Sequence, residues 1–253
     1  MPRFFVNMEL SVEQQFDLID EVHRHIMVLR QKLGDNIRLF NGNGSEYCAT
    51  ILELQKKFTR VVITSLIETN QAPQLFLELF LSIIANDKMD LAIQKAVELG
   101  VTNIIPVISE RAQKLATDKV PKRMQHWQKI IINSCEQCGR NILPIIKLPL
   151  KFSDSLSLAG ERNDLAALDD KPLRLIMLPH AQTDVLLPQK SSSVAVQLLV
   201  GPEGGFNSRE INQARNAGFL PLNLGSTILR SETAAMAGIV FAQMHYGEWL
   251  ANL

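Results

Sequence analysis

The chain has 253 residues with 26 basic and 26 acidic side chains, so its formal net charge is zero. A neutral balance argues against a strongly basic nucleic-acid-binding protein, and 46% apolar residues are enough for a substantial core. The charge is unevenly spread: residues 111–151 hold nine Lys or Arg and two acidic residues, whereas residues 152–170 hold five acidic residues and one basic. This basic band is either a surface that attracts phosphate or an ordinary solvated surface.

Nothing in the sequence indicates export or membrane insertion. The N-terminus has no continuous apolar stretch of the kind that directs secretion, and the most apolar run, 75–85, is interrupted by Glu78 and too short to span a bilayer. Three cysteines give no disulfide framework, and the Cys135–Cys138 pair has no second pair to complete a zinc site. We therefore expect a reduced, cytoplasmic protein without a metal, in which these thiols are packed.

The first 72 residues read as a small, mostly β domain. Its predicted elements are an edge strand at 2–6, a helix at 20–29, a strand at 37–40, a turn at Asn41–Gly44, and strands at 47–54 and 60–67. A linker is predicted at 69–73. The second predicted domain, 73–253, alternates strands and helices, which favours a mostly parallel α/β sheet. Its predicted elements before the last third are strands at 75–84, 103–108, 145–146 and 173–178 and helices at 87–99 and 121–138, with a polar, acidic segment before residue 173.

Two glycine-containing bends near the C-terminus organise the second domain. The first, Gly201-Pro202-Glu203-Gly204-Gly205, follows a predicted strand at 194–200 and precedes a helix capped by Asn207 or Ser208. The second follows a predicted strand at 220–224 and leads through Gly225 to a helix that starts at Ser231. Neither bend has the glycine spacing of the known phosphate-binding loops. The carboxyl ends of neighbouring parallel strands meet at one edge, so we expect the two bends to form a binding pocket there.

The motifs resemble those of the bacterial ribosomal RNA small-subunit uridine N3-methyltransferases, the RsmE-type branch of the SPOUT superfamily. The matching segments run in the same order along essentially the whole chain: 2–4, Lys88 with 93–95 and 98–100, 106 with 109–111, 135–140, 199–205, and 224–233. The resemblance implies a SPOUT-type knotted α/β domain, a small N-terminal PUA-like β-barrel that binds RNA, and S-adenosylmethionine as cofactor. It also implies a homodimer formed by the SPOUT domains and 16S ribosomal RNA in the assembled small subunit as substrate.

The cofactor would be held by the loops at the strand ends, largely through main-chain atoms. The predicted cofactor-binding residues are Leu178, Pro179, Leu199, Val200, Gly201, Glu203, Gly204, Gly205, Leu222, Leu224, Gly225, Ile228, Leu229, Arg230, Glu232 and Thr233. Arg230 is the predicted catalytic residue, because a guanidinium stabilises the negative charge that develops on the base. Glu203 is the candidate to accept the N3 proton, with fixing of the loop as its alternative role. His180 is a candidate neighbour of the pocket, and a structural histidine is the alternative.

Basic side chains spread over both domains are the candidates for contact with RNA, with scattered surface charge as the alternative. They are Arg3, Arg24, Arg30, Lys88, Lys95, Arg111 and Arg140. The cluster Glu136–Arg140 suggests either a buried network or a subunit interface. Two other functions stay open: a SPOUT methyltransferase that acts on transfer RNA or on another base, and a non-catalytic RNA-binding assembly factor with the same fold.

Overall fold

The computed structural model describes residues 1–67, 73, 75–161, 172–179, 195–247 and 249. Contacts divide the chain into two compact units, one of Met1–Ala72 with Ile132–Leu143 and the other of Pro73–Ile131 with Pro144–Leu253. The segment 132–143, which the sequence prediction places in the second domain, thus groups with the first unit. One cause is Arg3, whose guanidinium donates to the main-chain carbonyl of Cys135 at 2.9 Å. Most of the predicted linker, 69–73, lies outside the described residues, as does His180.

The first unit is built on a five-stranded sheet. Its elements are β1 (Arg3–Phe5), β2 (Gln15–Leu18), α1 (Asp20–Val28), β3 (Asn36–Phe40), β4 (Glu46–Leu54) and β5 (Thr59–Ile67). The strand order is β1-β3-β4-β5-β2, in which β1 runs parallel to β3 and the other pairs are antiparallel. The predicted position of β1 at the sheet edge is confirmed. The four-residue strand β2, which lies at the opposite edge, was not predicted.

The second unit is an α/β sheet. Its elements are β6 (Phe76–Ser82), α2 (Asn86–Glu98), β7 (Asn103–Ile108), a 3-10 turn (Thr117–Lys119), α3 (Val120–Cys138, whose end joins the first unit), β8 (Ile145–Ile146), β9 (Leu150–Lys151), α4 (Phe152–Glu161), β10 (Leu173–Met177), β11 (Ala195–Val200), α5 (Ser208–Asn216), β12 (Leu220–Leu222) and α6 (Ser231–Tyr246). The strand order is β12-β10-β11-β6-β7-β8, with β9 also paired to β7. Every pairing between these described strands is parallel, which confirms the predicted sheet type.

The expectation that the two glycine bends follow neighbouring strands is wrong. Strand β10 lies between β11 and β12, with Ile176 paired to Leu199 on one side and to Pro221 on the other. Because all three strands are parallel, their carboxyl ends still reach the same edge of the sheet. Leu178 and Pro179, which follow β10, therefore lie at that edge with the two bends.

The acidic segment that begins at Phe152 contains an unpredicted helix, α4. Phe152 and Ala159 are buried in a cluster with Phe80, Leu199 and Phe219, so a few apolar positions hold an otherwise polar helix on the sheet. Within the described ranges, none of the helices is both long and apolar enough to cross a membrane. The trefoil knot that the resemblance implies stays a prediction.

Candidate active site

A pocket of about 520 Å³ lies at the carboxyl edge of β10, β11 and β12. This volume is within the range of about 300 to 1,000 Å³ that is usual for small-molecule sites. The lining comes from the end of β10, both glycine bends and the faces of two helices. Its residues are Met177, Leu178, Pro179, Val200, Gly201, Pro202, Glu203, Gly204, Gly205, Phe206, Ile211, Arg215, Leu222, Asn223, Leu224, Thr227, Ile228, Leu229, Ser231 and Ala234.

The first bend owes its shape to its glycines. Gly205 has φ +65°, a conformation that side-chain-bearing residues rarely adopt, and its N–H donates to the carbonyl of Pro202 at 2.8 Å. A Cβ on Gly201 would lie 3.1 Å from the ring of Phe206, which in turn packs on Phe152 with 5.4 Å between the ring centroids. The backbone at Gly201 can therefore lie this close to the Phe206 ring only because residue 201 has no side chain.

The start of α5 fixes the far end of this bend. Asn207 is the N-cap: its side-chain oxygen accepts from the Glu210 N–H at 2.8 Å, and a Glu210 carboxylate oxygen accepts from the Asn207 N–H at 3.0 Å. This reciprocal capping box confirms the predicted helix start. Glu203 makes a second connection, because its Oε1 accepts from the N–H of Ala85, the N-cap residue of α2, at 3.3 Å.

The second bend is more open than the first. Gly225 has φ +116°, and Ile228 is 72% exposed although it lines the pocket. Arg230 is exposed and is the N-cap residue of α6, between the pocket-lining residues Leu229 and Ser231. Its guanidinium makes no hydrogen bond or ion pair with the described part of the chain. It is therefore available to a bound molecule.

Most of the predicted cofactor-binding residues come together at the pocket, and a few do not. Those that line it are Leu178, Pro179, Val200, Gly201, Glu203, Gly204, Gly205, Leu222, Leu224, Ile228 and Leu229. Those outside the lining are Leu199, Gly225, Arg230, Glu232 and Thr233. Leu199 is fully buried in the core, and Glu232 is buried with its Oε1 3.9 Å from the Lys88 Nζ.

Sequence reasoning missed the contribution of α5. Ile211 and Arg215 both line the pocket, and they are four residues apart on one helical face. That spacing was a usable signal, because a helix that follows the first bend must turn one face toward it. Met177, Phe206 and Ala234 were missed for a different reason, since apolar residues at these positions look the same in a core as in a pocket wall.

Arg3 and Arg140, two of the predicted RNA contacts, are largely buried within the first unit. The Arg3 side chain is 11% exposed, and its Nε donates to Glu46 Oε1 at 2.6 Å. Further donors of the same guanidinium reach the Asn141 side chain and the Arg140 carbonyl. Burial lowers the pKa of Arg140 below its ordinary value. The Glu136 carboxylate accepts from the Phe5 N–H at 2.9 Å. These contacts support the interpretation of the 136–140 cluster as a buried network.

The other predicted RNA contacts, Arg24, Arg30, Lys88, Lys95 and Arg111, are partly or fully exposed. Lys95 is paired with Glu98 of its own helix at 2.8 Å, and Arg111 donates to the carbonyl of Gly204 at 2.8 Å. Arg24 is exposed and bonds the Asp20 carbonyl at 3.2 Å, while Arg30 is exposed. Within the described residues, Arg24 and Arg30 are thus more available to RNA than Arg3.

The buried thiol of Cys135 is unreactive. Burial raises the pKa of the Cys135 thiol to about 12, so it stays protonated and acts as a packed apolar group. Among the described residues, no group of three or more His, Cys, Asp or Glu side chains is placed to hold a metal ion.

Comparisons with known proteins identify the family. An RNA methyltransferase domain model matches residues 70–243, and an RNA methyltransferase PUA domain model matches residues 18–64. Ribosomal RNA small subunit methyltransferase E of Buchnera aphidicola (subsp. Schizaphis graminum) is 34% identical, with 98% of each chain covered. The chain belongs to the ribosomal RNA small subunit methyltransferase E family. The family's enzyme from Mesomycoplasma hyopneumoniae is 32% identical, with 93% of this chain and 96% of the relative covered.

Solved structures agree with this assignment and with the fold. The Neisseria gonorrhoeae member, bound to S-adenosyl methionine, superposes with a TM-score of 0.87 at 37% identity and covers 98% of this chain and 99% of its own. A Legionella pneumophila structure with the same bound cofactor has a TM-score of 0.85 at 36% identity, with 95% and 96% covered. Together with the PUA match, these structures confirm the predicted PUA-like and SPOUT-type α/β architecture.

Proposed function

We propose that this protein transfers a methyl group from S-adenosylmethionine to N3 of one uridine in the 16S ribosomal RNA of the assembled small subunit. The observation that carries the proposal is the pocket at the carboxyl edge of β10, β11 and β12, where the two glycine bends meet. Its position and volume suit a small-molecule cofactor. The family relatives are ribosomal RNA methyltransferases, and two similar structures hold this cofactor.

The groups in the pocket fit the cofactor. Leucine side chains such as Leu178 and Leu222 offer apolar surface to the adenine, and the exposed main chain of the glycine bends can read its polar edge. Among the described lining residues, Glu203 and Arg215 carry charge. Arg215 would bind the carboxylate of the methionine part. When bound, S-adenosylmethionine supplies an electrophilic methyl group on a cationic sulfur.

The residues of the chain must then align the uridine base and remove the proton from its N3. The N3 of neutral uridine carries a proton and is a poor nucleophile until that proton leaves. Arg230, exposed beside the pocket with an unpaired guanidinium in the described structure, would stabilise the negative charge on the base as the proton is lost. Glu203 is the proposed proton acceptor, a role compatible with its hydrogen bond to the Ala85 N–H because a carboxylate has several acceptor sites.

The partners follow from charge and architecture. A net charge of zero limits the general attraction of the chain to RNA phosphates, so we propose the assembled small subunit as substrate, contacted by Arg24, Arg30 and Lys88 among others. We propose further that two copies pair through their SPOUT domains, that the enzyme works in the cytoplasm, and that it needs no metal.

Transfer of labelled methyl groups to purified small subunits tests the function. With subunits from cells that lack the protein, we expect label in 16S ribosomal RNA and 3-methyluridine in a nucleoside mass analysis. Label in transfer RNA, or on another base, would replace the proposed substrate. No heat of binding with S-adenosylmethionine in calorimetry would instead favour an assembly factor.

Two substitutions test the proposed roles. Arg230→Ala should lower turnover by about 10²–10³-fold while the Kd for S-adenosylmethionine stays within a factor of a few. Arg209→Ala, an exposed arginine of α5 outside the pocket lining, is the control.

Glu203→Gln keeps an acceptor for the Ala85 N–H but loses the base, so its rate of methyl transfer should fall and the pH dependence of that rate should flatten. Full turnover of Glu203→Gln across the pH range rejects the assignment of Glu203 as base.

A further inference from the structure

The segment Ser109–Arg111, which begins directly after β7, is tied to the first glycine bend. A guanidinium nitrogen of Arg111 donates to the carbonyl oxygen of Gly204 at 2.8 Å. A Cβ built on Gly204 would lie 3.3 Å from Cδ and 3.4 Å from Cβ of Arg111, so the arginine stem lies directly against the glycine. Arg111 therefore holds the middle of the bend by both a hydrogen bond and packing.

Glu110 holds the end of the same bend. Its N–H donates to Glu210 Oε1 at 2.8 Å, and its Oε2 accepts from the Asn207 side-chain amide at 2.6 Å. Asn207 and Glu210 are the two members of the capping box that starts α5. Glu210 is 5% exposed, so its carboxylate depends on these protein donors rather than on water.

The segment itself is anchored to the sheet. The Ser109 hydroxyl is buried and donates to the hydroxyl of Ser82, the last residue of β6, at 3.1 Å. The Gln113 N–H donates to the carbonyl of Ile83 at 2.8 Å. The bend is thus connected through this segment to the end of strand β6.

We propose that Glu110 and Arg111 are positioning residues that hold the first glycine bend in its cofactor-binding conformation. Neither residue lines the pocket, so they act through Gly204, Asn207 and Glu210. The proposal rests on the proposed function insofar as the pocket binds S-adenosylmethionine. It assigns Arg111 a role different from the contact with RNA phosphate that its charge suggests.

Arg111→Ala tests the proposal by separating the two substrates. Loss of a charge-assisted hydrogen bond should raise the Kd and KM for S-adenosylmethionine by about tenfold. The KM for small subunits should stay at the wild-type value. Arg111→Lys, which keeps a stem and a donor but not the planar fork, should give an intermediate Kd. Lys114→Ala, an exposed basic residue three positions on, is the matched control and should change neither constant.

A measurement without any substrate keeps the proposal testable if the pocket binds a different molecule. Amide hydrogen exchange at Gly205 and Glu210, whose N–H groups are bonded to the Pro202 carbonyl and the Asn207 side chain, should become faster in Arg111→Ala and in Glu110→Ala, while exchange in β6 and β11 stays slow. Unchanged exchange in the bend overturns the proposal. So does a raised KM for small subunits with an unchanged Kd for S-adenosylmethionine, since Arg111 would then be an RNA contact. Failure of the wild-type protein to bind S-adenosylmethionine refutes the proposed function but leaves the exchange test valid.

Discussion

Single residues of one type serve very different purposes in this chain. Arg3 donates to Glu46 and to main-chain carbonyls, and Arg111 packs on Gly204 and donates to its carbonyl. Arg230, at the start of α6, has no hydrogen-bond or ion-pair partner in the described structure. A sequence shows that each is a cation, but the number of free donors depends on which distant acceptors the fold brings near. For this reason the sequence predicted the charge of these residues correctly and could not separate structural from substrate-facing arginines.

The buried Glu136 carboxyl should make the stability of the protein depend on pH. Burial raises the pKa of its carboxyl above the ordinary value of 4.5, although the hydrogen bond from the Phe5 N–H opposes this. A raised folded-state pKa contributes stability that is present below pH 4.5 and is lost as the pH rises through the raised value. Glu136→Gln keeps the acceptor and cannot ionise. Its free energy of unfolding, relative to the wild-type protein, should therefore increase as the pH rises above 4.5 and then level off.

Urea unfolding at a series of pH values, followed by circular dichroism, measures this difference. Asp17→Asn is a comparison with the opposite sign, because the hydrogen bonds from Arg60 at 2.7 and 3.0 Å hold the pKa of Asp17 below its ordinary value of 3.8. The stability that Asp17 contributes is present above that value and is lost as the pH falls through the lowered pKa. A flat difference for Glu136→Gln would show that the buried carboxyl is solvated in the folded state.

At the scale of elements, α6 approaches the sheet unusually closely. The helix is rich in small residues, and Gly238 faces β11 and the end of β10. A Cβ on Gly238 would lie 2.6 Å from Leu198 Cδ2 and 3.2 Å from the sulfur of Met177. Met177 lines the pocket, so the same close approach that packs the helix also sets one wall of the site.

Gly238→Ala should therefore destabilise the protein by about 1–3 kcal/mol, because overpacking outweighs the gain in helix propensity. Gly160→Ala in α4 is the matched control. An added Cβ there meets no described atom within 4 Å, and the variant should be up to about 1 kcal/mol more stable than the wild-type protein. Thermal unfolding of both variants measures the contrast. Equal stabilisation by the two substitutions would mean that α6 has room to move away from the sheet.

The elements themselves differed in how well the sequence predicts them. Strand β7 (Asn103–Ile108) was predicted correctly, and of the two predicted caps of α5, Asn207 and Ser208, Asn207 is the N-cap; apolar runs and cap residues are local signals. Strand β2 and helix α4 were missed, because short or polar segments become regular only when they pack on a core. The insertion of β10 between β11 and β12 was also missed, since strand order depends on pairing between distant segments.

At the scale of the whole second unit, one row of polar side chains crosses the sheet from β10 to β7. Arg174, Gln197, Glu78 and Asn103 are consecutive partners in the strand register. Arg174 Nε donates to Gln197 Oε1 at 2.9 Å, Gln197 Nε2 to Glu78 Oε2 at 2.8 Å, and Asn103 Nδ2 to Glu78 Oε1 at 2.9 Å. Glu78, which interrupts the most apolar run of the sequence, is fully buried. A one-residue slip of any of these strands would leave buried polar groups unpaired, so the row selects the register of the strands that bear the pocket.

The direction of the hydrogen bonds explains why the centre of the row must be a carboxylate. Two donors meet at Glu78, so Glu78→Gln would turn an amide N–H toward a neighbouring donor and should cost about 1–3 kcal/mol of stability. Gln197→Glu alone should also destabilise the protein, because it places a second buried carboxylate against that of Glu78. The double variant Glu78→Gln/Gln197→Glu restores the donor–acceptor match in these three hydrogen bonds: Arg174 to the new Glu, the new Gln to that Glu, and Asn103 to the new Gln. Its free energy of unfolding in urea should therefore recover most of the loss, a coupling that a double-mutant cycle measures directly. Strictly additive losses in that cycle would mean that the row fills space without selecting the register.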